Sequence, residues 1–389
     1  MRTAVSRNAG FVLVAYAFLV TMIGTTLPTP LYPLFEERYS FGPLTVTVIF
    51  AVYAFGVIAG LLLFGNLSDE IGRKPVLLLG LAFSAVSALL FLFAGALAPI
   101  YAGRVVSGLS AGIFTGTATA MLVDLAPGGR RRLASLVAVV VNLGGLGLGA
   151  LLAGLLADHC TSPLRLPFIA DLALLVPAAL GLLVTPETVE RQAFRFRLQR
   201  LRVPSEVRAV FVRGAAAGFG GFAVAGVFGS VAPVFLGQIL GRTSHALAGA
   251  LVFIQFSASI VGQLALLRLS DRRALVVGCT LLAGGVGLLA LALWIESLAA
   301  LIASASVAGL GLGLVIGAGL AAINQRAPVE HRAETASSFF VVMYVGLAVP
   351  VIGVGLAENA WNLRGAGIAF SAAVAALMLA VLASLTRPD

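Results

Sequence analysis

Long apolar stretches alternate with short polar gaps along the whole chain. The pattern predicts twelve helices, over about 10–34, 43–65, 75–95, 99–123, 133–157, 166–184, 210–235, 246–267, 274–294, 297–323, 336–357 and 365–385. Each is close to the ~20 residues that a helix needs to cross the hydrocarbon core of a bilayer. The gaps are too short to hold a soluble domain. One longer, Arg-rich connection, 186–209, separates the sixth helix from the seventh. The expected organisation is therefore a six-helix bundle over 1–185, a linker over 186–209, and a second six-helix bundle over 210–389.

Composition agrees with a chain that lives in lipid. Of 389 residues 60% are apolar and 11% charged, and the mean hydropathy is +1.06. No water-soluble core could use so much apolar surface. The first apolar run is longer than the ~7–15 residues of a signal-peptide core, so it reads as a retained helix.

The net charge of +9 does not point to nucleic acid, because the basic residues fill short gaps between apolar runs instead of one soluble face. With both termini and the even-to-odd connections on one side, that side collects twenty of the 25 Lys and Arg residues. The opposite side receives Arg38, Arg165, Arg242 and Arg364, and Arg104 falls inside a helix. Cytoplasmic loops carry the basic excess, so both termini are expected in the cytoplasm. Cys160 lies in a polar loop and Cys279 in an apolar run, which predicts no disulfide, and no metal-ligand spacing is present. His159, His245 and His331 fall in loops without a matched nucleophile and carboxylate, so no enzyme site, metal or cofactor is expected.

The chain repeats itself. Leu67-Ser68-Asp69 recurs as Leu269-Ser270-Asp271, an offset of 202. Gly108, Gly112 and Gly116 recur as Gly309, Gly313 and Gly317, an offset of 201, and Ala126-Pro127 recurs as Ala327-Pro328. Ala134-Ser135 matches Ala336-Ser337, and Gly144 matches Gly346. The matches keep order and register across six helices, which predicts two pseudo-symmetric bundles of one orientation.

Between the second and third helices stands Gly65-Asn66-Leu67-Ser68-Asp69-Glu70-Ile71-Gly72-Arg73-Lys74-Pro75. It resembles the signature loop of the major facilitator superfamily, in which Gly, Leu, Asp, Gly and two basic residues recur at these spacings. Arg104 followed by Gly108 on the fourth helix is similar to the family's second signature. The resemblance implies an all-α polytopic membrane protein, twelve transmembrane helices in two halves, with a binding site near the bilayer midplane; major facilitator transporters are themselves the worked example behind that rule. It further implies a gating role for Gly65, Asp69, Gly72, Arg73 and Lys74. Glu70 stands where the family commonly has a basic residue, which puts the usual charge network of the loop in a different form. The chain is identified as an efflux-type member similar to the drug:proton antiporters, although its fifth helix, with Gly145, Gly147, Gly149 and Gly154, lacks that branch's Gly-Pro pair.

In this family helices 1, 4, 7 and 10 line the cavity, helped by 2, 5, 8 and 11. On that footing the candidate substrate-binding residues are Thr21, Thr25, Arg104, Ser107, Gln255, Gln263 and Tyr344, with Tyr53 and Asn142 as further polar groups. Thr21, Thr25 and Thr29 share one helical stripe, as do Gln255, Ser259 and Gln263. Plain hydrogen bonding between helices is the other reading of both stripes. Arg104 and Asp171 are the ionisable groups set within helices, at similar depth from the external side. Each needs a partner, water or substrate, and they could pair with each other. Asp171 is the candidate coupling residue, with a structural role as the alternative because the sixth helix is peripheral in the family. The expected function is proton-coupled export of small amphipathic compounds by alternating access, by a monomer in a bacterial-type inner membrane. The alternatives are uptake of an organic anion with Arg104 as counter-charge, and a transporter-like sensor.

Overall fold

A computed structural model describes Val5–Glu190 and Leu198–Thr386, apart from the side chains of Asn359 and Thr386. Arg2, Arg191, Arg195, Arg197 and Arg387, which the charge asymmetry uses, lie outside the described residues. Among the described residues there are twelve helices long and apolar enough to span a membrane. They are α1 (Arg7–Tyr39), α2 (Pro43–Glu70), α3 (Arg73–Leu92), α4 (Leu97–Leu125), α5 (Arg131–His159) and α6 (Leu166–Val184), then α7 (Ser205–Ser230), α8 (His245–Ala265), α9 (Asp271–Ile295), α10 (Leu298–Arg326), α11 (Val329–Glu358) and α12 (Leu363–Leu385). No strand occurs among the described residues.

The starts and stops follow local chemistry. Ser6, Ser244 and Ser297 cap α1, α8 and α10, each hydroxyl accepting a backbone N–H three residues on, which satisfies a donor the helix leaves open. Glu296 ends α9 in the left-handed conformation at φ 53° and pairs with Arg364. Two predicted helices differ from those observed. α1 is regular only to Thr26, because Pro28 and Pro30 lack the N–H a helix needs; the chain continues as a 3-10 turn, Thr29–Leu31, and a further helical stretch, Tyr32–Tyr39. The Thr21–Thr25–Thr29 stripe is therefore broken before its last member. The seventh helix starts at Ser205 and stops at Ser230, and Pro233 opens a separate short helix, Ala232–Gln238.

The chain clusters into two compact units, one holding the residues up to Leu31 with Val52–Arg200, the other Tyr32–Ala51 with the chain from Leu201 onward. In the first unit glycines bring α2 and α4 to backbone contact. A methyl group at Gly108 would lie 2.3 Å from the Tyr53 carbonyl oxygen, and one at Gly112 2.7 Å from that of Val57. In the second unit α8 and α10 do the same: methyls at Gly309 and Gly313 would lie 2.3 and 2.0 Å from the carbonyls of Gln255 and Ser259. The partners Tyr53 and Gln255, like Val57 and Ser259, are 202 residues apart. The sequence repeat is thus a repeat of packing. The second unit also holds Phe50 against Gly229 and Thr47 against Gly355. Its apolar core includes Phe211, Ile323, Phe339 and Met343 from α7, α10 and α11, with Val203 of the linker packed on it. Small residues set such close helix contacts in membranes, where apolar side chains gain nothing by leaving lipid.

Candidate functional site

The fourth helix carries Arg104 into the first unit, where it is 1% exposed. Its guanidinium lies 4.5 Å from the centre of the Tyr53 ring on α2, and Nη1 donates a 2.7 Å hydrogen bond to the Thr25 carbonyl on α1. The Tyr53 hydroxyl also reaches the Thr25 side chain. A cation over an aromatic face is held by the ring quadrupole, more strongly once water is removed. The glycines at 56 and 108 make this possible, because they let α2 approach α4 until Tyr53 sits beside Arg104. Arg104 thus ties three helices, and the pair with Asp171 that the sequence left open does not form. Among the described residues Asp171 makes no ion pair, and its Oδ1 has no hydrogen-bond partner. The side chain of Arg104 is taken up by α1 and α2 instead.

The other predicted binding residues fall into two sets. Thr21 and Thr25 are buried on α1, but their hydroxyls donate to the carbonyls of Ala17 and Met22 at 2.8 Å. Ser107, 4% exposed, lies three residues beyond Arg104 on α4. Arg104 and Thr25 are brought into contact directly, through the Thr25 backbone and not its side chain. In the second unit Gln255 is fully buried, and among the described residues neither amide atom has a hydrogen-bond partner. Ser259 donates back to the Gln255 carbonyl, Gln263 lies beside Gly317 of α10, and Tyr344 meets the Phe222 ring edge-on at 5.4 Å. By the offset of the repeat, Gln255 occupies the position of Tyr53, and Ala305 that of Arg104. The second unit therefore keeps the frame of the first with an amide in place of the ring and no cation beside it.

A second cluster joins the adjoining ends of α2, α3, α4 and α6. Arg73 pairs with Asp69 at 2.6 Å and with Asp124 at 3.4 Å, and donates to Ser68 Oγ at 2.7 Å. Glu187, just past α6, accepts from the backbone N–H groups of Arg73 and Lys74 at 2.9 and 3.1 Å. It caps the N-terminus of α3 where two orphan donors and the positive end of the helix dipole meet. Gly72 has φ +105°, which favours glycine, and a methyl group there would also press on Glu187 Oε2, 2.5 Å away. Lys74 Nζ donates to the Leu183 and Thr185 carbonyls, closing the C-terminal end of α6. Thr188 donates to Asp124 Oδ2 at 3.1 Å, and Arg7 donates to the Asp124 carbonyl. Gly65 lies next to Gln199 of the linker, whose N–H donates to the Leu62 carbonyl at 2.9 Å.

Asp124, Glu187, Thr188 and Gln199 were not among the predicted residues. The sequence carried a signal for two of them. Asp124 is an acid in the last turn of a helix, where the dipole disfavours it unless a cation is near, and Glu187 stands in a connection otherwise rich in Arg.

The sequence matches the family model described as Major Facilitator Superfamily over residues 14–351 and 214–389. It is 27% identical to the multidrug efflux protein YfmO of Bacillus subtilis (strain 168) over 86% of this chain and 83% of that one. It is 32% identical to the class H tetracycline resistance protein of Pasteurella multocida over 48% of this chain. That match spans 46% of the relative, less than half its length. Two solved structures share the fold at 14% identity: a bacterial homologue of the human lysosomal transporter Spinster, TM-score 0.71, and a POT family transporter in complex with a thioalcohol-conjugated peptide, TM-score 0.76. They cover 97% and 98% of this chain, and 96% of each of their own.

Proposed function

The chain belongs to the Major Facilitator Superfamily and is an integral membrane transporter of small molecules rather than an enzyme, and from that premise we propose that it exports small amphipathic organic compounds in exchange for protons. The observation that carries this reading is the Arg104 cluster. Arg104 is a buried cation laid on an aromatic ring, in helices whose other buried polar groups are, apart from Asp171, hydroxyls and amides. Such a surface suits a molecule with a large apolar body and one polar or anionic group. The efflux relatives support the direction of transport, since one is named for multidrug efflux and one for tetracycline resistance.

In this reading the halves 1–185 and 210–389 alternate in access about the linker, as a monomer in a bacterial-type inner membrane with both termini cytoplasmic. The cluster around Asp69, Arg73, Asp124 and Glu187 serves as a breakable tie at the cytoplasmic ends of the first-half helices. Arg104 and Thr25, with Thr21 and Ser107 beside them, contribute to binding from the first half, and Gln255, Gln263 and Tyr344 from the second.

The test is transport by purified protein in liposomes with an imposed pH gradient, using ethidium, tetracycline and benzoate as cationic, zwitterionic and anionic probes. Gradient-dependent movement of ethidium or tetracycline, opposite to the proton flow, is expected. Movement of benzoate alone, along with protons, replaces the export reading by uptake of an organic anion. Movement of probes at a rate unaffected by the gradient refutes proton coupling.

A further inference from the structure

We propose that Asp171 is the proton-binding site of this transporter, and that helix α1 conveys its protonation state to the Arg104 cluster. The proposal rests on the reading of the chain as a proton-driven carrier. Asp171 is 2% exposed, and it is the one buried carboxyl group among the described residues. It sits against the backbone of α1 so closely that a methyl group at Gly24 would lie 2.8 Å from Oδ2 and 3.2 Å from Oδ1. A side chain at position 24 would press on the carboxyl group, so glycine lets Asp171 lie directly against α1 in this rotamer. Among the described residues Oδ1 has no hydrogen-bond partner.

The charged and titratable groups of the helices packed on α6 are engaged elsewhere or distant. On α1, Tyr16 donates to the Leu174 carbonyl at 3.1 Å, Arg7 reaches Asp124 at the far end of the span, and Tyr32, Glu36, Glu37, Arg38 and Tyr39 lie beyond the break in the helix, well past Gly24. On α3, Arg73 and Lys74 belong to the cluster at that same end, while Phe91 stacks on Phe168 of α6 at 5.0 Å. On α5, Asp158 and His159 lie in the last turn, with His159 Nδ1 against the Leu155 carbonyl. Arg165 stands at the start of α6 itself, one and a half turns from Asp171.

An ionised carboxyl group in apolar surroundings, without a cation or water, costs several kcal/mol. The arrangement in hand accommodates the neutral acid. For the carboxylate to exist, water must reach it, and the surface that covers it is α1 at Gly24. A proton is also a ligand that needs no added room beside the carboxyl group. In the cycle this implies, an external proton adds to the Asp171 carboxylate, α1 closes over the neutral acid, and the same proton leaves to the cytoplasmic water once α1 withdraws.

The next residue along α1 is Thr25, whose carbonyl holds Arg104. Successive residues on a helix point about 100° apart, so α6 and α4 grip α1 at one level from two sides. Withdrawing α1 from Asp171 disturbs the Thr25–Arg104 bond, and pulling Arg104 toward a substrate loosens the cover over Asp171. Coupling of this kind is reciprocal: whatever factor the proton contributes to binding at Arg104, the ligand returns to proton affinity.

The experiment uses the full chain in liposomes, as wild type, Asp171→Asn and Asp171→Glu. Asn has the shape and neutrality of the protonated acid, so folding is retained. Infrared difference spectra between neutral and alkaline pH should show loss of a protonated-carboxyl band in the wild type, no such loss in Asp171→Asn, and a shifted loss in Asp171→Glu. Tetracycline movement driven by the pH gradient should vanish in Asp171→Asn, while tetracycline counterflow, which needs no net proton movement, persists; Asp171→Glu restores part of the driven movement. An unchanged band in Asp171→Asn, or driven transport at the wild-type rate, overturns the assignment. Absence of all tetracycline movement in the wild type strikes the transport reading instead, and the infrared comparison still decides whether Asp171 holds a proton.

Discussion

The contact between Arg104 and Tyr53 lends itself to a quantitative test. Arg104 is 1% and Tyr53 7% exposed, so the guanidinium 4.5 Å from the ring acts with little screening. A cation–π contact of this desolvated kind contributes about 2 kcal/mol. The bond to the Thr25 carbonyl adds a comparable amount as a charge-assisted hydrogen bond. Arg104→Lys keeps the charge but loses the planar face that lies on the ring. A double-mutant cycle with the uncharged Arg104→Met and Tyr53→Leu, read from reversible unfolding in mixed micelles, should give a coupling of about 2 kcal/mol, or roughly thirtyfold in an equilibrium constant. In the transport assay, Arg104→Ala should abolish movement of tetracycline while the protein stays folded in the membrane. A coupling indistinguishable from zero would show that the ring and the cation are neighbours without energetic consequence.

Three further outcomes are expected. Asp69→Asn should slow transport far more than Glu70→Gln at matched expression, because Asp69 pairs with Arg73 at 2.6 Å; the exposed Asp69 carboxylate makes the loss in stability small, under about 1 kcal/mol, so equal transport rates for the two variants would rule out a gating role. Glu187→Ala removes the acceptor for two N–H groups of α3 and should lower unfolding stability by about 1 kcal/mol; an unaltered denaturation midpoint would show that water replaces the cap without loss. A membrane-impermeant thiol reagent should label the partly exposed Cys160 in intact cells and leave the buried Cys279 untouched, and labelling of Cys160 only after the cells are opened would reverse the assigned orientation.

The helices were legible because a bilayer imposes length and apolarity on every span, and those constraints survive in composition alone. The repeat was legible because glycines that touch backbone cannot be replaced, so Gly108 and Gly309 kept their register. Interactions between side chains far apart in the chain were not legible. The sequence placed Arg104 and Asp171 at similar depth and left a pair between them open, yet depth says nothing of azimuth, and Arg104 turns toward α1 and α2. The break in α1 was written in Pro28 and Pro30 but was outweighed by the continuous apolar run. Glu187 escaped notice because a cap contributed from 113 residues away leaves no local spacing to read.

The glycine contacts between α2 and α4, and between α8 and α10, also divide the chain into positions of very different mutational freedom. With methyl groups at Gly108, Gly309 and Gly313 reaching 2.0–2.3 Å from a facing carbonyl, even alanine forces the backbones apart, and sliding one helix along its neighbour drives a side chain into the same wall. Tyr53 and Gln255 stand at the facing positions, and only their backbone atoms meet the glycines, so their side chains are not fixed by the fit. A duplicated gene is therefore free to rewrite the side chains at these positions, while the joints beneath them stay nearly immobile.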